Sequence, residues 1–519
     1  MLRLSIPTVA VAALLGCSEN SLNGAKADQD TFLPGDTDAP GEPVPPPGPE
    51  VEDDFLAQPP ASTPEYVFVA NRTRDTLTRI RAADQDVLTV GVGREPTLVQ
   101  TTPDGLLAVS FNRGDDTVTV VDTATMEATT LDVRDDFNAM DMTPDGRFVL
   151  LWHDLNAETE DDLPTQGLQS YNEISVVDLQ ARVHTPMAVG FNPRDVAFSR
   201  DSALGAVVSD DALALVDFTQ APLDVPTLVP LSSGLLDPPD AEEVVLEPGG
   251  TYAFIRRYGD DALQTVDLQT LTVGSIPMAA GLTDMDLSPD GGTLAVVCRD
   301  AREIRLVATR FPNDPQSVLP FPVDLPLGAL VFAPTGGVGI LYTTASPIDR
   351  YVRWDLATDT LTARALVKPV AALSISPTGE DMLVVHTRAD APDAELGPFY
   401  GEWALTMVDL TLDLPTPMRL PAEPIGFANA PGGRRAYFIM KDEPLLEVLD
   451  YHTRLYEEVT LRSAPVWVGS LPDPTPADAD TPYAWVSQEH ELGRISFYDP
   501  DDGAFETLTG FELNAAIED

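Results

Sequence analysis

Five histidines and two cysteines set narrow limits on the side-chain chemistry of this 519-residue chain. His153-Asp154 puts an imidazole beside a carboxylate, a pair that can ligate a metal ion or exchange a proton near neutral pH. His386 is the other imidazole in a comparable setting. No His-Glu-x-x-His pair, Gly-x-Ser-x-Gly elbow, P-loop or Gly-rich dinucleotide fingerprint occurs. Asp499-Pro500-Asp501-Asp502-Gly503 has the composition of a calcium loop, but it lacks the alternating ligands and closing Glu, and turn chemistry accounts for it. Turn preference likewise accounts for Arg113-Gly114-Asp115 in a hairpin. No cofactor is expected, with a divalent cation such as calcium as the alternative. Cys298 closes the apolar run 294–298 and reads as a small buried hydrophobe. If Cys17 is modified, no internal disulfide can form.

The elements that must position such residues are visible in the stretch 96–133. It reads as four short strands, 97–101, 106–111, 117–122 and 128–133, joined by polar turns. The first turn, Thr102-Pro103-Asp104-Gly105, uses Pro to set φ and Gly to supply a positive φ. Its copies include Thr143-Pro144-Asp145-Gly146, Ser199-Arg200-Asp201-Ser202, Ser288-Pro289-Asp290-Gly291 and Ser376-Pro377-Thr378-Gly379. The third-strand ending Val121-Asp122 recurs as Val177-Asp178, Val216-Asp217, Val266-Asp267 and Val408-Asp409. A period of roughly 41 to 56 residues suits four-stranded blades, so the fold is expected to be an all-β β-propeller. About ten units can be counted, which a single large ring or two smaller tandem rings would accommodate; a single ring is favoured because no linker divides the repeats. The opening unit, from Tyr66, has no evident first strand. The C-terminal Leu513-Asn514-Ala515-Ala516-Ile517-Glu518-Asp519 is expected to supply one and so close the ring.

Where the second strand ends, about seven residues past each turn glycine, the chain carries Asn71, Asn112, His153, Asp210, Arg257, Arg299, Thr343, His386, Met440 and Gln488. These positions should ring one face. The same face should bear the long insertions 153–172, 232–242 and 388–402, the last carrying Tyr400, because second-to-third-strand loops and blade-to-blade loops emerge together. Long loops on a rigid scaffold are where function concentrates. The candidate binding face is therefore Asn112, His153, Asp154, Asp210, Arg257, Arg299, His386 and Tyr400, with strand-end polarity as the plain alternative.

Composition narrows the partners. With 83 acidic residues against 31 basic ones the net charge is −52. Such a chain repels nucleic-acid phosphate and anionic lipid, which excludes nucleic-acid binding. Arg3 and the apolar run 6–15 form an export signal too short to span a bilayer. The following Leu14-Leu15-Gly16-Cys17 resembles a bacterial lipobox, which implies that Cys17 is lipidated, with palmitate among the acyl chains, and becomes the first mature residue. Ser18 after it, by resemblance to enteric lipoproteins, favours the outer membrane. Residues 18–64 are Pro- and acid-rich and read as an extended tether. The folded body is expected over 65–519.

Tyr66-Val67-Phe68-Val69-Ala70-Asn71, and still more Leu107-Ala108-Val109-Ser110-Phe111-Asn112 with Val118-Thr119-Val120-Val121-Asp122, resemble the YVTN-type β-propeller repeat found in lactonase-like and surface-layer proteins. That resemblance carries fold more than function. The expectation is an envelope-anchored lipoprotein that binds or scaffolds a protein, peptide or glycan, with the question of enzymatic activity left open. A lactonase-like metal-dependent hydrolase, implied by the resemblance, and a structural cell-surface protein are the alternatives.

Overall fold

The computed structural model describes residues 60–154, 171–231, 241–257, 260–314, 318–386, 388, 399, 401–471, 484–500, 503–513 and 517–518. Cys17, Tyr400 and most of the long insertions lie outside these residues. Ten antiparallel sheets follow one another along the chain, nine of four strands and the last of five. They form the blades of a ten-bladed β-propeller.

The strands follow from how each blade is covered. A blade packs between two neighbours, so its middle strands are apolar on both faces and read as unbroken runs. Phe148–Trp152 is buried at all five positions. The outermost strands face solvent, as in Leu455–Thr460, where five of six residues are exposed. The repeated turn is held by its own side chains. Thr102 Oγ1 donates to Asp104 Oδ1 at 2.6 Å, and Gly105 takes φ +70°. Thr143 with Asp145 and Ser288 with Asp290 repeat the bond at 2.7 Å. In seven blades the third strand ends in an aspartate that caps the next turn. Asp122 accepts Thr125 N–H at 2.8 Å, and Asp178, Asp409 and Asp450 do the same in their blades. These backbone bonds hold the Asp122 carboxyl below its ordinary range. Much of the repeated acidity is therefore turn chemistry.

One apolar core lies between each pair of consecutive blades. The series runs from Phe68, Val99 and Ala108 between blades 1 and 2 to Tyr437, Val468 and Val486 between blades 9 and 10. A further core closes the circle, with Val67 and Ile80 of blade 1 against Trp485, Ile495, Phe497 and Phe511 at blade 10. Blades 5 and 6, where two tandem rings would part, share a core of Phe254, Met285 and Val296 like the rest. The molecule is one ring.

The opening blade differs from expectation. Its inner strand is Ala61–Ser62, upstream of Tyr66, pairing Ala61 with Phe68. The C-terminal Ile517–Glu518 instead adds a fifth strand to the outer edge of blade 10, beside Phe505–Thr509. The ring thus closes by side-chain packing and not by sharing a blade between the chain's two ends. Ser62 Oγ to Ser470 O at 3.1 Å and the Arg74–Glu512 ion pair at 3.3 Å add to that join. Cys298 is fully buried, and burial pushes its thiol up to about 11.

Candidate binding site at the channel mouth

The first strand of each blade lies innermost, around the central channel. An edge strand leaves backbone groups open, and here side chains from adjacent blades take up several of them. Asp195 Oδ2 accepts Val244 N–H of the next blade at 2.9 Å, and Asp284 Oδ2 accepts Leu330 N–H at 2.5 Å. Gln100 donates to Met140 O, Thr101 to Ser62 O and Ser470 to Asn429 O. In seven blades the inner strand also slips by one residue against the second at the same place, as between Pro193 and Asp195, which re-aims the residues entering the mouth.

The wall is electrically one-sided. Asp141, Asp195, Glu243, Asp284 and Asp286 fall on the inner strands of blades 3 to 6. The same places in blades 8, 9 and 10 carry Ala372 and Ser374, Gly426 and Ala428, Trp467 and Gly469. Burial pushes the Asp141 carboxyl up to about 7, and the nearby charge of Asp195 adds to this. Burial raises Asp195 as well; the N–H groups of Val244 and Val196 oppose the rise and Asp154 reinforces it. Glu243 is also raised by burial. Arg256, directly across the ladder with Nε at 2.9 Å, opposes that.

At the seam between blades 3 and 4 this acidic arc meets an aromatic step. His153, at the end of its second strand, is buried, and its Nδ1 is 2.5 Å from Asp136 O. Its ring stands edge-on to Tyr171 at 5.4 Å, and Tyr171 leads to Phe191 at 6.3 Å. Phe191 is 51% exposed on the connection between the two blades, with its N–H fixed by Asp211 Oδ1 at 2.7 Å. Below the step, Asn192 donates its backbone N–H to Tyr171 O at 2.6 Å and its side-chain amide to Asp210 Oδ2 at 3.0 Å. Arg194 Nε donates to Asp210 Oδ1 at 2.9 Å. Asp154 is held to Asn138 by paired bonds of 2.7 and 2.9 Å.

The structure thus gathers three of the sequence candidates, His153, Asp154 and Asp210, at one seam. The others stay in their own blades. Asn112 is fully buried and donates to Thr117 and Thr119. His386 is fully buried between Pro369 O and Thr406 Oγ1, at 3.1 and 2.7 Å. Arg257 donates to Gln264, and Arg299 lies beside Asp300 at 3.6 Å. Asn112, His386 and Arg257 reach from the second strand to the third, and His386 also to the preceding connection, so they fasten the tops of their own blades. Among the described residues no group of three or more His, Cys, Asp or Glu is placed to hold a metal ion.

Sequence reasoning missed Tyr171, Phe191, Asn192, Arg194, Asp195 and Asp141. Two signals were present. Phe191 is a large aromatic in a polar blade-to-blade connection. The inner-strand acids break the apolar or small pattern of the same positions elsewhere, and local rules tend to fail at functional places.

No family model and no curated protein matches the chain. Among solved structures it is similar to a eukaryotic initiation factor, at 11% identity over 76% of this chain and 96% of that one, with a TM-score of 0.52. It is also similar to apo AztD from Citrobacter koseri, at 15% identity over 78% of this chain and 96% of that one, with a TM-score of 0.42. The dihydro-heme d1 dehydrogenase NirN matches at 18% identity over 69% and 73%, with a TM-score of 0.44. At 11% identity the likeness to the initiation factor is one of fold alone.

Proposed function

We propose that the chain is a binding or scaffold module, held at a bacterial cell envelope by acyl chains on Cys17, that captures a protein, peptide or glycan partner at the seam of blades 3 and 4. The observation that carries this reading is Phe191, a half-exposed aromatic on a backbone pinned by Asp211 and Asp210 and packed beside the Tyr171 ring. A rigid aromatic anchor with fixed polar neighbours is the usual energetic centre of a binding surface. The remaining strand-end polar groups support the reading in another way: they stiffen the rim that presents this anchor. The lipobox resemblance at Leu14-Leu15-Gly16-Cys17 supports the anchor.

A photo-crosslinking residue at position 191 tests both parts in cells. The expected result is a discrete crosslinked product in the membrane fraction, which moves to the soluble fraction with Cys17→Ser. The same crosslinker at exposed Glu457, on the outer strand of blade 9, serves as the control. Equal products from both positions would refute the assigned surface, and no movement with Cys17→Ser would refute the anchor.

A further inference from the structure

Blade 9 breaks a hydrogen-bonded relay that other blades repeat. In blades 1, 2 and 10 the residue ending the second strand donates to a hydroxyl on the third strand, and that hydroxyl bonds another directly opposite on the outer strand. The relays run from Asn71 to Thr78 to Thr89, from Asn112 to Thr119 to Thr130 and from Gln488 to Ser496 to Thr507, with bonds of 2.6 to 3.0 Å. The same register in blade 9 holds Met440, Glu447 and Glu458. Met440 has no proton to donate, and two carboxyl groups face each other where small hydroxyls stand elsewhere. Like charges directly opposite on a ladder repel.

This exception is set into the interface with blade 8. Glu447 is 3% exposed, and its Oε1 has no hydrogen-bond partner. It borders a cavity with room for about one water, walled by Leu405, Met418 and Leu420 of blade 8 and by Phe438 and Leu449 of blade 9. A second small cavity lies nearer the channel in the same seam, between Leu373, Leu383 and Phe427. Glu458, across the ladder, faces solvent. Blade 8 brings Arg419 to the cavity wall, with its guanidinium 5.5 Å from the Phe399 ring, and the outer strand brings Tyr456. Lower in the same core Tyr451 donates its hydroxyl to Asn429, and Asp381 stands opposite Asp409. There Arg454 of blade 9 clips the seam, donating to Asp409 at 2.8 Å and to Thr416 at 3.2 Å, both in blade 8. Burial pushes the Glu447 carboxyl up to about 7, and Glu458 adds to this.

We propose that the seam of blades 8 and 9 is a pH-operated joint in the ring: it stays shut while Glu447 holds its proton, and when Glu447 ionises the outer part of the seam parts above the Arg454 clip, so that water reaches the carboxylate. Opening relieves both the buried charge and the repulsion from Glu458. In the open seam Glu447 titrates as an ordinary carboxylate. The open fraction therefore climbs by about tenfold per pH unit between about 4.5 and 7 and levels off above. No other blade pairs a buried carboxyl with a facing one at this register among the described residues.

The chain carries its own probes. Met407 and Met440 are buried in this seam, Met285 in the core between blades 5 and 6, and Met382 in that between blades 7 and 8. Oxidation of a thioether to the sulfoxide needs access for the oxidant and no ionisation of the sulfur. The full chain is treated with dilute hydrogen peroxide at pH 5 and at pH 8, well below its melting temperature, and each methionine is followed by peptide mass spectrometry. Met407 and Met440 should oxidise at least tenfold faster at pH 8, while Met285 and Met382 change less than twofold. Glu447→Gln should remove the acceleration. So should Glu447→Thr, which restores the residue found at this place in blades 1, 2 and 8. Equal acceleration at all four methionines would mean global unfolding and would overturn the proposal, as would its absence at Met407 and Met440. Acceleration that survives both variants would also overturn it and would move the proton to another group, Asp381 first.

Discussion

His386 shows what one position can be made to do. It occupies the end of a second strand, where other blades use Asn112 or Gln488, and like them it bonds a hydroxyl on the third strand. Burial lowers its pKa to about 4; Pro369 O opposes the shift and Lys368 reinforces it. The unfolded chain therefore takes up a proton near pH 6.5 that the folded one refuses until about pH 4. Stability from this group is complete above pH 6.5 and is lost as the pH falls toward 4. His386→Gln, which copies blade 10, should make the melting temperature less sensitive to a change from pH 7.5 to 5 than it is in the parent chain. An identical acid loss in the variant would show that His386 is not responsible. The imidazole that sequence alone singled out for chemistry is here a hydrogen-bonding strut, because its residue type could be read but its burial could not.

At the level of the strand, the pattern of apolar runs and Pro-Asp-Gly turns was enough to place nearly every strand, since two-residue periodicity and turn residues are local properties. Carboxylates inside strands were not legible in the same way. Read as sequence they merge with the solvated acids, and only the ring turns Asp141 and Asp195 inward. Glu447, in the third strand of blade 9, is another such case. It faces Glu458 across the ladder, is 3% exposed, and leaves Oε1 without a hydrogen-bond partner in a cavity lined by Met418, Phe438 and Leu449 between blades 8 and 9. Burial pushes its carboxyl up to about 7, and Glu458 adds to this. The unfolded chain gives up this proton near pH 4.3 and the folded one only near 7, so the seam loses stability as the pH rises through that window. Glu447→Gln should raise the melting temperature at pH 8.5 by about 2 °C or more and change it little at pH 4. A gain that is the same at both pH values would point to packing and not to charge.

For the whole molecule, the number of units was readable from the repeat, but closure was not. Ala61–Ser62 is two residues in a Pro-rich stretch, too short to show any periodicity, so the resemblance of the C-terminus to a first strand pointed the wrong way. The ring is held at its join by side chains, chiefly Phe511, which is 2% exposed and packs over Gly493, where an added Cβ would lie 2.7 Å from its ring. Phe511→Ala should cost about 3–5 kcal/mol. Hydrogen exchange should show the loss first in blades 1 and 10, and uniform loss across all ten blades would contradict closure by local packing. The two-residue inner strand has a mechanical consequence as well. Tension arriving along the chain upstream of Ala61 enters the ring at its innermost strand, where among the described residues two ladder positions, the Ser62 and Thr101 bonds and the packing of Ala61 against the core between blades 1 and 2 resist it. The outer rim bears none of that load directly. A body fastened this way has its compliant link at the hub, so a pull strong enough to detach those two residues can be relieved there while the other nine blades keep their shape.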